Sequence, residues 1–69
     1  MTYERIFELK FKKGFSTSEL MQRFPEEADK VREIALLHVP IPLLREMVAE
    51  ADLLKRIIYL KRKFLGQLG

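Results

Sequence analysis

The chain has 69 residues, of which 48% are hydrophobic and 33% are charged, and its formal net charge is +3. This length supports one small folded domain, and the apolar content is too high for a disordered chain. The absence of cysteine excludes disulfides and thiolate metal sites, and a single histidine does not favour a zinc site. We therefore predict one helical domain over residues 1–69, with no metal and no cofactor.

The N-terminal segment is not typical of a signal peptide, because it contains an early acid, Glu4, and no small-residue cleavage site. The longest nearly apolar stretch, residues 34–44, contains two prolines and is shorter than the roughly 20 residues that span a bilayer. We expect a soluble cytoplasmic protein with no membrane span.

The first segment, residues 3–13, fits two structures. Phe7, Leu9 and Phe11 alternate with polar residues, as in a β-strand. Tyr3, Phe7 and Phe11 also recur every four residues, as on one face of a helix, and two lysines before a glycine are typical of a helix C-terminus. The pattern favours a helix, with a strand as the alternative.

The next helix has a clear start signal. Ser16 and Glu19 are spaced as in a capping box, in which each side chain accepts a hydrogen bond from the other residue's backbone N–H. Phe15 and Leu20 occupy the positions of a hydrophobic staple. We predict a helix that begins at Ser16 and ends before Pro25, because proline disfavours helical geometry in the preceding residue.

Pro25 suits the first turn of a further helix. Its predicted apolar stripe is Ala28, Val31, Ile34, Ala35 and His38. Residues 39–42, with two prolines, predict an extended spacer. No residue breaks the helical pattern between Pro42 and Gly66, so we expect one continuous helix on the order of 23 residues long. The predicted fold is all-α, with three or four helices.

Residues 43–68 form the predicted dimerisation helix. Apolar residues follow an alternating spacing of three and four positions, interrupted only by Lys61, which is the pattern of paired helices. They define the candidate oligomer interface: Leu44, Met47, Ala51, Leu54, Ile58 and Leu65. A second apolar row lies beside it: Leu53, Ile57, Leu60 and Phe64. Short chains without disulfides or metals commonly gain stability by oligomerising. We predict a homodimer; the alternative is that the other helices cover both rows within one chain.

Basic residues are concentrated toward the C-terminus. They are candidate contacts for an anionic partner: Lys55, Arg56, Lys61, Arg62 and Lys63. Cations near a helix C-terminus also offset the helix dipole, so a solvated basic face is the simpler interpretation.

Residues 17–36 resemble the helix-turn-helix of DNA-binding regulators. Its buried positions match Leu20, Phe24, Val31 and Ile34. The departures are Met21, Pro25 and Glu26, in place of a small residue, the turn glycine and an apolar turn residue. Acidic residues on the supposed recognition helix are Glu26, Glu27, Asp29 and Glu33. The resemblance implies transcription regulation, but phosphates repel an acidic helix, which disfavours direct reading of the major groove.

A second resemblance covers more of the chain. The residues that carry it are Ile6 to Leu9, Gly14-Phe15-Ser16, Glu19-Leu20 and the leucine-rich C-terminal helix. Together they are similar to the latter part of MerR-type regulators. In that family this part links the DNA-reading domain to an antiparallel dimerisation helix. The resemblance implies a dimerising module that lacks the family's N-terminal winged helix-turn-helix.

Catalytic patterns are not evident. The hydroxyls at residues 16–18 are explained by capping, His38 has no partner in local sequence, and Gly14 does not belong to a phosphate-binding loop. We therefore expect a non-enzymatic homo-oligomeric adaptor that binds a protein partner. The alternatives are a DNA-binding regulator and a basic amphipathic helix that lies on an anionic membrane or in a partner's groove.

Overall fold

The computed structural model describes residues 1–66, which are mainly helical and contain no β-strand. The five α-helices are α1 (Tyr3–Phe7), α2 (Thr17–Arg23), α3 (Ala28–Ala35), α4 (Ile41–Met47) and α5 (Ala51–Leu65). A π-helix, Glu8–Lys12, continues α1, and a 3-10 turn, Pro25–Glu27, precedes α3. The all-α prediction is confirmed, and the strand alternative for residues 3–13 is wrong.

Internal contacts divide the chain into two compact units, Met1–Ala35 (unit 1) and Leu36–Gly69 (unit 2). In unit 1, α3 packs against both α1 and α2. Fully or nearly fully buried apolar side chains form its interior: Ile6, Leu9, Leu20, Val31 and Ile34. In unit 2, α4 packs against α5.

The capping box predicted at Ser16 is present. The Ser16 hydroxyl accepts a hydrogen bond from the Glu19 backbone N–H at 3.1 Å, and the Glu19 carboxylate accepts one from the Ser16 N–H at 3.0 Å. This backbone N–H, followed by the Ser16 hydroxyl, lowers the pKa of Glu19. The stabilisation by the charged carboxylate is therefore complete above the unfolded pKa and is lost as the pH falls through the lowered folded pKa. The helix ends at Arg23, and Phe24 caps it before Pro25, as predicted.

Glu33 does not belong to an acidic surface, contrary to the sequence-based assignment. Its side chain is buried, with 5% of the residue exposed, and it accepts a hydrogen bond from the Tyr3 hydroxyl at 3.1 Å. A buried carboxylate needs such a donor because the loss of hydration is otherwise uncompensated. His38 also differs from the prediction, since α3 ends at Ala35 and His38 is exposed.

The single helix predicted from Pro42 to Gly66 is wrong. The chain leaves helical geometry after Met47, and the backbone is extended at Val48 and at Glu50 before α5 begins. No proline or glycine causes this break. Val48 is buried, and the break allows α4 to pack against α5, whereas one straight rod could not fold back on itself. Burial therefore outweighs the local preference for helix.

The C-terminus of α5 agrees with the sequence prediction. Gly66 follows the helix with a φ of +66°, a conformation that glycine adopts without a steric cost. The confirmed long C-terminal helix therefore comprises 15 residues, Ala51–Leu65. Residues 67 and 68 of the predicted dimerisation helix lie outside the described residues.

We expect Ser16→Ala to lower the free energy of unfolding by about 1 kcal/mol, because the substitution removes the acceptor of the Glu19 N–H. The matched control is Ser18→Ala, an exposed serine within the same first turn, which should leave stability nearly unchanged. Urea midpoints of both variants measure the difference. Equal stability of the two variants would contradict a capping role for Ser16.

Candidate functional site

The two apolar rows of α5 have different environments. In the inner row, Ile57 and Leu60 are buried, with exposures of 0% and 4%, and Leu53 and Phe64 are half-buried. The outer row belongs to the predicted oligomer interface and comprises Ala51, Leu54, Ile58 and Leu65. Ala51 is exposed, and the other three side chains are half-buried. Ile57 and Leu60 of the inner row therefore supply the interior, and the outer row retains accessible apolar surface.

The two interface candidates on α4, Leu44 and Met47, also differ in exposure. Leu44 is fully buried within the chain, so it presents no surface to a partner. Met47 is 54% exposed, and two further large apolar side chains of unit 2 are exposed, Leu43 at 46% and Tyr59 at 61%. Unit 2 thus combines the outer row with several accessible apolar side chains.

Lys61 has a structural role that the sequence analysis did not anticipate. Its ammonium donates hydrogen bonds to the backbone carbonyls of Leu37, at 2.8 Å, and Val39, at 3.0 Å. These carbonyls lie in the segment that precedes α4. A lysine therefore stands within the predicted apolar row, and its hydrogen bonds hold this segment against α5. Two of the three N–H donors of its ammonium are therefore engaged within the chain.

The remaining predicted cations lie on the solvent side of α5. Lys55, Arg56, Arg62 and Lys63 are exposed. Lys55 and Arg62 follow Ala51 and Ile58 by four positions, which places them along one edge of the outer row. The Lys63 ammonium lies 5.6 Å from the centroid of the Phe64 ring. The accessible apolar row therefore has a basic border.

A second surface, in unit 1, was not found by sequence analysis. It is a half-open cleft of about 320 Å³. Three cationic and four apolar side chains line it: Arg5, Lys13, Arg23, Leu9, Phe15, Leu20 and Phe24. Leu9 and Leu20 are buried, whereas the three cations are exposed. We name this feature the unit 1 cleft.

The change from α-helix to π-helix aligns three of the cleft residues. Arg5, Leu9 and Lys13 are spaced by four positions. In an α-helix, four residues slightly exceed one turn, whereas in the wider π-helix they fall slightly short of one turn. The rotation in excess of one turn in the α-helix and the shortfall in the π-helix have opposite signs. They offset each other, so the three side chains lie on one face of the segment. The Lys13 N–H donates to the Glu8 carbonyl at 2.9 Å, which is the hydrogen bond of the wide turn.

The chain then reverses at Gly14, whose φ of +82° requires a residue without a side chain. The Phe15 N–H donates to the Leu9 carbonyl at 3.0 Å, so Phe15 is fixed beside the π-helix. The four-residue repeat and the lysine–glycine–phenylalanine sequence are the signals from which this cleft could have been anticipated. Its third cation, Arg23, comes from α2 and depends on tertiary packing.

The cations of the cleft are held loosely. Arg5 forms an exposed ion pair with Glu8, and the carbon of the Arg23 guanidinium lies 5.0 Å from the Phe15 ring centroid. Within residues 1–66, no ion pair engages Lys13. Exposed ion pairs contribute little to stability, so these side chains can contact an added anion without a large energetic cost.

A separate ion cluster ties the N-terminus to unit 1. The N-terminal amine lies 3.0 Å from a carboxylate oxygen of Glu27, and the Lys30 ammonium lies 3.1 Å from the other oxygen. The hydrogen bond from the amine, followed by that from Lys30, lowers the pKa of Glu27. Among residues 1–66, no group of three acidic or histidine side chains is placed to hold a metal ion.

Comparisons with protein-family models, curated protein sequences and solved structures give no match. Over the described part of the chain, no helix has the length and apolar character that crossing a membrane requires.

We expect Lys61→Met to lower the free energy of unfolding by about 1.5–3 kcal/mol, the usual range for hydrogen bonds to a charged group. Methionine keeps the apolar stem and removes the donors. Lys55→Met, at an exposed site of the same helix, is the control and should change stability by about 0.5 kcal/mol or less. Denaturant titration measures both variants. If the two lose equally little stability, Lys61 does not hold the 37–39 segment.

Proposed function

We propose that this protein is a non-catalytic, homodimeric protein-interaction module, in which the outer row of α5 pairs with the outer row of a second copy. One observation carries the proposal. Ile57 and Leu60 of the inner row fill the interior of unit 2, while Leu54, Ile58 and Leu65 in the outer row keep accessible apolar surface.

The spacing of the outer row suits helix pairing. Its members recur at three, four and seven positions, so they lie along one face of the helix, and Lys61 interrupts the row between Ile58 and Leu65. Ala51 is small, which allows a neighbouring helix to approach closely. The 15 residues of α5 extend about 22 Å at 1.5 Å per residue, enough for several layers of side chains from two helices.

The size of the chain favours a second copy as the occupant. Small domains bury a low fraction of their surface and commonly need a disulfide, a metal or a partner chain for stability. The sequence contains no cysteine. Self-association would remove the apolar surface of the outer row from water.

The charge of α5 provides a way to distinguish a second copy from a different partner. Its exposed charged residues are Asp52, Lys55, Arg56, Arg62 and Lys63, which leave a positive excess. Two copies that meet through this helix repel each other electrostatically, and salt screens that repulsion. Self-association should therefore strengthen with salt, whereas binding of an acidic partner should weaken.

We expect Leu54→Glu and Ile58→Glu to give folded monomers. Each side chain is half-buried in one chain, so a glutamate can reach water there. In the dimer the same carboxylate would be buried without a partner, at a cost of several kcal/mol. Tyr59→Glu is the matched control, because it introduces the same charge on α5 away from the outer row. Sedimentation equilibrium and circular dichroism measure mass and folding.

A dimeric Tyr59→Glu variant beside monomeric Leu54→Glu and Ile58→Glu variants is the expected result. A monomeric wild type at high protein concentration and high salt would exclude the homodimer. Equal loss of the dimer in all three variants would place the contact elsewhere than the outer row.

DNA binding is the second candidate function, and it rests on the arrangement of α2 and α3. The two helices pack together and are joined by a short turn, as in a helix-turn-helix. The acidity of α3 is also lower than its sequence indicates. Glu33 is buried, and the Asp29 carboxylate lies 3.1 Å from the Arg32 guanidinium. The described surface of α3 is thus neither strongly acidic nor strongly basic.

We expect weak binding to mixed-sequence duplex DNA, lost near about 0.15 M salt, because few cations on α3 would neutralise phosphates. A salt titration monitored by fluorescence anisotropy measures it. Submicromolar affinity that persists at that salt concentration would favour the DNA-binding regulator over the adaptor.

A further inference from the structure

We propose that the unit 1 cleft binds a small amphipathic carboxylate, that is, a single carboxylate on a short hydrocarbon chain or an aromatic ring. The proposal concerns residues of unit 1 alone, so it does not depend on dimerisation through α5.

The lining of the cleft supplies the two parts of such a site. Leu9 and Leu20 are buried and form an apolar inner surface, and the half-buried rings of Phe15 and Phe24 extend it. A hydrocarbon body placed there loses contact with water, which is favourable in proportion to its apolar area. A purely polar anion would gain nothing from these four side chains.

The charged part of the lining has one sign. Arg5, Lys13 and Arg23 are the titratable residues that line the cleft, and all three are cations. Two arginines can each offer paired N–H donors that match the two oxygens of a carboxylate. The acids on the same segments are Glu4, Glu8 and Glu19. Glu8 pairs with Arg5, and the Glu19 carboxylate accepts a hydrogen bond from the Ser16 N–H. None of the three lines the cleft.

The cations are accessible at the mouth of the cleft. Arg5, Lys13 and Arg23 are exposed, while the leucines deeper in the cleft are not. The carbon of the Arg23 guanidinium lies over the Phe15 ring, 5.0 Å from its centroid, so this cation lies beside the apolar wall. An anionic head can therefore remain near water and the cations while its apolar body enters the cleft.

The size of the cleft favours a small ligand. Its volume of about 320 Å³ is at the lower end of the range for ligand-binding pockets. A single chain or ring fits that space. The π-helix, the turn at Gly14 and the capped α2 are held by backbone hydrogen bonds and fix the backbone around the cleft. The ligand would therefore meet a site that is already formed.

Octanoate, below its micelle concentration, is the probe for this site. Two matched compounds separate the parts of the interaction: octanol has the chain without the charge, and acetate has the charge without the chain. Titration of the full chain, followed by amide chemical shifts, locates the binding site. We expect saturable shifts at Leu9, Phe15, Leu20 and Phe24 with octanoate, and weaker binding of octanol and acetate.

Two variants test the cations separately. Lys13→Gln and Arg23→Gln change exposed side chains and should each weaken octanoate binding about tenfold, the loss expected for one charge-assisted contact. Octanol binding should be unchanged in both. Lys12→Gln removes an exposed cation of the same π-helix that does not line the cleft, and it should bind octanoate like the wild type. If Arg23→Gln perturbs the fold, Lys13→Gln still provides the test.

Three results would overturn the proposal. The first is binding of octanol as tight as that of octanoate, and the second is an equal loss of octanoate affinity in Lys12→Gln and Lys13→Gln. The third is octanoate-induced shifts at Leu54 and Ile58. The last result would identify the outer row of α5 as the apolar site. None of these results bears on the oligomeric state, which is measured independently.

Discussion

Helices of five to fifteen residues are marginal in water, so each helix of this protein depends on burying an apolar face. The described residues provide few buried apolar side chains for this purpose. Among residues 1–66, seven large side chains are fully buried, and they are divided between the two units: Ile6, Leu20, Val31 and Ile34 in unit 1, and Leu37, Leu44 and Ile57 in unit 2. This shortage explains why polar contacts such as those of Lys61 with two backbone carbonyls are part of the structure.

Local signals predicted the parts of the fold that depend on neighbouring residues. The capping box at Ser16 and Glu19, the helix end before Pro25, and the stop at Gly66 each involve atoms within one or two turns. The sequence pattern therefore contains most of the information that determines them. The choice of helix over strand for residues 3–13 was also correct, although the π-helix within it was not anticipated.

The remaining features depend on tertiary packing. The break at residues 48–50 arises because Val48 and Leu44 become buried in unit 2, and no local residue marks it. Glu33 and Lys61 are charged, so their sequence pattern favours the surface, but their partners lie 30 and 24 residues away in Tyr3 and Leu37. The unit 1 cleft was missed for the same reason, since Arg23 reaches it from a different helix than Arg5 and Lys13.

The central claim is that the outer row of α5 is covered by a second copy of the chain, and the concentration dependence of unfolding tests it most directly. Because dimerisation stabilises the folded state by mass action, the wild-type Tm should rise as protein concentration increases over a hundredfold range. The rise should persist at high salt, where repulsion between the basic helices is screened. A Tm that is independent of concentration, together with a monomeric mass throughout that range, would contradict the account.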